Sequence, residues 1–239
     1  DLAFLLESLA RLAGESQSSC PPDAPAEFWV RFLYGHPESI TDSVIQTVAK
    51  HDNLCEYFDI PIQHDADGVL KKMGRRYSRD DLRGLIDRIR QRLPDAAIRT
   101  TVIVGFPGET EKDFQTLLHF IEEMRFDHLG CFTYSDAADL PSHRLTGHVA
   151  AEVADERMDA IMYSQAGISA GNNRRYLGRS LPVLVEERTE SGLYTCRSAQ
   201  QAPEVDGSTL VRADSLDVGC FQQVRITEVE TYDLMGVPQ

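Results

Sequence analysis

The stretch Arg99–Thr110, RTTVIVGFPGET, decides the fold. Its first half is rich in β-branched residues, which suit the pleat of a strand and disfavour a helix. Side chains alternate along a strand, so Arg99, Thr101 and Ile103 fall on one face and Val102 and Val104 on the other. The apolar run stops at Gly-Phe-Pro-Gly-Glu, with glycine at 105 and again at 108. Two readings compete here. A buried strand entering a tight turn and a helix needs glycine for backbone conformation alone. A ligand against the carboxyl end of a parallel strand, where α/β folds place their sites, needs it for close approach.

Strand and helix patterns alternate on both sides of this stretch. EFWVRFLYGHP, Glu27–Pro37, reads as a strand, and Thr41 can then cap a helix with Val44, Ile45 and Val48 inward. CEYFDIPIQH, Cys55–His64, is a second strand. Ser78 and Asp81 stand at capping-box spacing before Leu82, Leu85, Ile86, Ile89 and Leu93, and Thr110 with Asp113 repeats the signature before Phe114, Leu117, Leu118, Ile121 and Met124. HLGCFTYS, His128–Ser135, is the last strand of this series. Such alternation predicts a parallel sheet with helical crossovers. The period changes after Ser135. A helix to about Asn173 leads to short strands: a hairpin turning at Ser191 and Gly192, STLVRA, and one long final segment, CFQQVRITEVETYDLMG. They predict a small closed β-barrel of the oligonucleotide-binding type. The division expected is 1–150, a connecting helix at 151–175, and 176–239.

Composition narrows the functional classes. With 239 residues and 42% hydrophobic content the chain can bury a substantial core. No apolar run reaches the roughly 20 residues of a membrane span, and DLAFLLESLARLAG reads as an amphipathic helix, so a cytoplasmic location is expected. Five scattered cysteines suit reduced thiols, and none is spaced for a local metal motif. A net charge of -14 argues against nucleic-acid binding over the whole surface and favours a basic partner.

YFDIPIQH, KKMGRRYSRDDL, RTTVIVGFPGETEKDF and LGCFTYSD, in this order and spacing, resemble the later part of the radical S-adenosylmethionine (β/α) barrel of the methylthiotransferases. VLVEERTESGLYTCRSAQQAPEVDG and VRITEVETYDLMG resemble the TRAM domain of the same enzymes, an OB-like all-β barrel. Pro61-Ile62-Gln63-His64, Arg99-Thr100-Thr101 and APEVDG are similar to the branch that modifies small-subunit ribosomal protein S-twelve rather than to the tRNA branch. The resemblance implies S-adenosyl-L-methionine and two 4Fe-4S clusters as cofactors, an electron donor, and thiomethylation of an aspartate β-carbon. The family's N-terminal cysteines and CxxxCxxC loop do not occur in this sequence. The expectation is therefore a fragment that is inactive alone and binds no cluster, with Cys20 an exposed loop thiol.

Given that cofactor, the strand pattern assigns Gln63, Arg99, Thr101, Ile103, Gly105, Phe132 and Tyr134 to binding it. His64, Arg75 and Arg76 are assigned to substrate. A bulky residue at 105 is expected to block the cofactor without disturbing the fold. Each assignment has a structural alternative: an ordinary turn at Gln63 and His64, core packing for the aromatics, and helix-end cations at Arg75 and Arg76. From Arg179 to Gln239 five arginines face ten carboxylates, and Glu186, Glu187 and Glu190 make the expected docking strip for a basic ribosomal protein. A tRNA adenosine substrate, or a binding module without chemistry, are the competing functions, and tRNA is disfavoured by the acidic surface.

Overall fold

A computed structural model describes residues 1–12, 28–190 and 192–239. The first part is a three-stranded parallel sheet in the order β1 (Tyr57–Asp59), β2 (Ala97–Val104), β3 (His128–Thr133). Register pairs Asp59 with Arg99, and Arg99 and Ile103 of β2 with His128 and Phe132 of β3. Helices α1 (Leu2–Arg11), α2 (Asp42–Lys50), α3 (Asp67–Lys72), α4 (Arg79–Arg92) and α5 (Glu111–Met124) accompany it. Capping boxes form at Ser78 with Asp81 and at Thr110 with Asp113, so the backbone amides that open α4 and α5 are satisfied locally. The inward stripes of these helices meet the buried face of β2: Leu82, Ile86, Ile89, Leu117 and Ile121 share one core with Ile98, Val102 and Val104. Burying each such side chain contributes roughly 1.5–3 kcal/mol.

Two predicted strands need correction. The segment 28–34 is extended beside β1 but makes a single bridge, Val30 to Leu54, because Tyr34 turns left-handed (φ 58°) and gives its amide to the Asp59 carboxylate at 2.9 Å. The long final segment is two strands, since Glu230 N–H donates to Asp233 O and turns the chain.

After α6 (Ala151–Asn173) the strands β4 (Ser180–Glu190), β5 (Leu193–Ser198), β6 (Thr209–Arg212), β7 (Phe221–Val229) and β8 (Leu234–Pro238) close a barrel in the order β4-β5-β6-β8-β7. Only β6 and β8 are parallel within it. Val183, Val185, Tyr194, Cys196, Val211, Val224 and Ile226 fill its interior. The turn residue Ser191 and the segment carrying Cys20 lie outside the described residues. Cys55, Cys131 and Cys196 are free, buried thiols.

α6 ties the two parts together. Gln165, Ser169 and Asn172 hydrogen-bond the backbone at Phe126 and Asp127, and Asn173 donates to the carbonyls of Glu230 and Thr231 at the β7–β8 turn. Between the sheet and the barrel, Asp206 is enclosed. It accepts from Tyr57 Oη at 2.6 Å and Ala202 N at 2.8 Å, with Arg99 Nε at 3.4 Å and His128 Nδ1 at 3.6 Å.

Candidate functional site

Where β1, β2 and β3 end, a cleft of about 420 Å³ opens between Gln63, Lys72, Arg75, Ile103, Phe106 and Tyr134. This is the edge at which parallel α/β sheets bind ligands. Gln63 holds φ 65° while its N–H donates to Thr101 O and its C=O accepts from Ile103 N, so β2 fixes it on both sides in a strained conformation. Arg75 follows α3 through the left-handed Gly74, and its buried Nε–H has no hydrogen-bond partner among the described residues. Phe106 meets Tyr134 edge-on at 5.1 Å, and the Tyr134 hydroxyl lies 2.8 Å from Ser142 Oγ. The cleft therefore has aromatic and aliphatic walls, an amide, and one unpaired guanidinium N–H.

The wall rests on Glu109. Its Oε2 accepts from Gly105 N at 2.5 Å and Phe106 N at 3.1 Å, and its Oε1 lies 3.2 Å from Arg157 Nη1 on α6. Burial pushes the Glu109 carboxyl above its usual value, opposed chiefly by Arg157 and then by the two amides. Gly105 sits at φ 77°, and a Cβ there would stand 2.6 Å from Ala154 Cβ. Glycine is thus required by backbone conformation and by the approach of α6.

Of the residues assigned from sequence, the cleft unites Gln63, Arg75, Ile103 and Tyr134. His64 is fully buried; its Nδ1 accepts the amides of Asp65 and Ala66, and burial lowers its pKa to about 4. It cannot reach a substrate, which corrects that assignment. Arg99 lies level with Asp59 and His128, toward the amino end of β3, and is held by Asp59 and Asp206. Its pairing inside the junction removes it from the cofactor group. Thr101 shares its face and accepts from Arg99 Nη1. Phe132 is 59% exposed and does not flank Tyr134 in the cleft. Arg76 is exposed and lines a different depression, beside Pro37 and Asp80. Glu186 pairs with Arg197 at 2.9 Å, while Glu187 and Glu190 are exposed on β4.

Sequence reasoning missed Lys72, Phe106, Glu109, Arg157 and Asp206. The Glu109 signal was present in the Gly-Phe-Pro-Gly-Glu turn, but its partner Arg157 lies 48 residues later on a helix of weak amphipathic pattern. Among the described residues no group of three or more His, Cys, Asp or Glu could hold a metal ion. Nor is any helix among them long and apolar enough to cross a membrane.

Residues 8–121 match the radical SAM superfamily, and residues 177–238 match the TRAM domain. The chain is 44% identical over 236 residues to the ribosomal protein uS12 methylthiotransferase RimO of Clostridioides difficile, covering 98% of this chain and 50% of that protein. It is 48% identical over 218 residues to the protein of the same name from Desulfosudis oleivorans, covering 91% and 50%. Among solved structures, coproporphyrinogen III oxidase (HemN) from Escherichia coli, a radical SAM enzyme, aligns with a TM-score of 0.51 at 15% identity, covering 72% of this chain and 37% of that one. That likeness is one of fold. The chain is thus α/β, a section of a radical SAM barrel followed by a TRAM barrel. It matches the RimO-type methylthiotransferases along nearly its whole length and spans about half the length of these curated relatives.

Proposed function

We propose, from this chain's likeness to the RimO-type radical S-adenosylmethionine methylthiotransferases, that it supplies the adenosyl-binding wall and the substrate-docking barrel of such an enzyme. The protein substrate is ribosomal protein uS12, by the relatives' name, and the reaction is thiomethylation of an aspartate β-carbon. The observation that carries the reading is the cleft at the strand ends, with Arg75 Nε buried beside it and unpaired.

The cleft residues fit S-adenosylmethionine. Ile103, Phe106 and Tyr134 offer apolar faces to a purine and exclude water from it. Gln63 can hydrogen-bond ribose hydroxyls, and the free Arg75 N–H suits a carboxylate. The described residues do not fit an iron-sulfur cluster, which needs closely placed thiolates, so cluster chemistry is assigned to none of them. When bound, and given one electron by an iron-sulfur cluster held by other residues, the cofactor would supply a radical able to abstract hydrogen from an unactivated carbon. This chain's residues bind, orient and desolvate it.

Division of the chain follows the same reading. Residues 1–150 form the cofactor wall, 151–175 the connecting helix and 176–239 the docking barrel. Exposed Glu187 and Glu190 and half-paired Glu186 favour a strongly basic protein over RNA. Calorimetric titration of S-adenosylmethionine into the 239-residue chain tests the cleft. Arg75→Met and Tyr134→Ala are expected to weaken binding about tenfold each, the scale of one charge-assisted hydrogen bond or one aromatic wall. Unchanged affinity in both variants overturns the reading.

A further inference from the structure

Glu109 is enclosed beneath the cleft. Facing it are Arg157 from α6, His64 from the segment after β1, Asp113 from α5 and Cys131 from β3, besides the two amides it accepts. His64 does not compensate it: with Nδ1 taking two amides, its proton sits on Nε2, 4.0 Å from Glu109 Oε1 and without a partner. Among the described residues Arg157 is the one permanently charged cation in ion-pair contact with Glu109. It is itself fixed, 5.3 Å over the Phe114 ring and 3.3 Å from Glu111.

We propose that Arg157 is a positioning residue for the cleft. By holding Glu109 as a carboxylate it keeps the Gly105 and Phe106 amides, and with them the Phe106 wall, where an adenosyl group is received. This rests on the cofactor reading of the cleft. A buried carboxylate that loses its cation takes up a proton rather than remain charged, and a protonated carboxyl is a weaker acceptor for two amides. Since α6 continues into the β-barrel, the contact also links docking to the cofactor wall.

Carboxyl and amide NMR of the 239-residue chain, with S-adenosylhomocysteine as the binding probe, gives the test. In Arg157→Met the Glu109 midpoint is expected to rise by about one pH unit or more, with the Gly105 and Phe106 amide signals moving along it. Probe affinity should then fall about fivefold between pH 8 and pH 6 while the unmodified chain changes little. Arg157→Lys should preserve the Glu109 midpoint, and Arg157→Met combined with Glu109→Gln should remove the pH dependence. A midpoint unmoved in Arg157→Met overturns the role of Arg157 alone. If that variant does not fold, Glu109 found protonated at neutral pH in the unmodified chain overturns it equally. Failure of the unmodified chain to bind the probe refutes the cleft reading, and this role with it, whatever Glu109 does.

Discussion

At Gly105 the backbone is left-handed and α6 leaves no room for a Cβ, which would meet Ala154 at 2.6 Å. Gly105→Ala is expected to destabilise the fold by roughly 2–4 kcal/mol, combining the cost of a left-handed L-residue with overpacking. Urea denaturation checks this, and a loss under about 1 kcal/mol would show that α6 yields easily. The expectation that a bulky residue there spares the fold is therefore replaced. The alternation of β2 was legible because period two needs only local sequence: Ile98, Thr100, Val102 and Val104 are buried and Arg99, Thr101 and Ile103 less so. What Arg99 does on its face was not legible. Its partner Asp206 comes from the far end of the chain, and nothing in the spacing of either residue announces the meeting.

Elements show the same division between local and distant information. Both capping boxes could be read from four-residue patterns, and Thr110→Ala should cost α5 about 1 kcal/mol, measured as a lowered midpoint in urea. An unchanged midpoint would mean that packing alone fixes the start of the helix. The turn from β1 to α3 is different, because His64 and Asp65 are both buried there. Burial raises the Asp65 carboxyl to about 6 even with Arg79 Nε 3.4 Å away, and lowers His64 to about 4. For Asp65 the folded pKa exceeds the unfolded one, so its contribution is full below about pH 4 and is lost as pH rises through about 6. For His64 the folded pKa is the lower, so its contribution is full above about pH 6.5 and is lost as pH falls through about 4. Each contribution is on the order of 3 kcal/mol. Between about pH 4 and 6 the two slopes oppose each other. Relative to the unmodified chain, Asp65→Asn should gain stability with rising pH across that window, and His64→Asn, which keeps an acceptor for the two amides, should lose it. Parallel urea titrations at three pH values decide this; equal slopes in both variants would refute the assignment.

Over the whole molecule, the core of the sheet and the core of the barrel meet through a small apolar cluster of Cys55, Tyr57, Ala97 and Ala202, with Trp29 edge-on to Phe221, and through polar contacts, of which Asp206 is the most enclosed. Neither core alone explains why the barrel sits where it does: one gathers around β2 and its helices, the other inside β4 to β8. Asp206 reaches out of the barrel to Tyr57 and Arg99, while Arg179 meets Asp95 and Arg175 meets Asp127 nearer the surface. Removing one member of a buried ionic cluster leaves the others uncompensated and costs roughly 3–5 kcal/mol. Arg99 keeps Asp59 at 3.2 Å, so Asp206→Ala should fall near the lower end, about 3 kcal/mol. That loss belongs to the junction rather than to either core, so unfolding, expected as one transition in the unmodified chain, should split into two as the parts uncouple. Asp214→Ala, an exposed carboxylate of the same barrel, should change stability by no more than about 0.5 kcal/mol and keep one transition. Differential scanning calorimetry of the three proteins distinguishes these outcomes. A single transition of unaltered midpoint in Asp206→Ala would mean that α6, the apolar cluster around Tyr57 and Ala202, and the surface pairs hold the barrel in place without it.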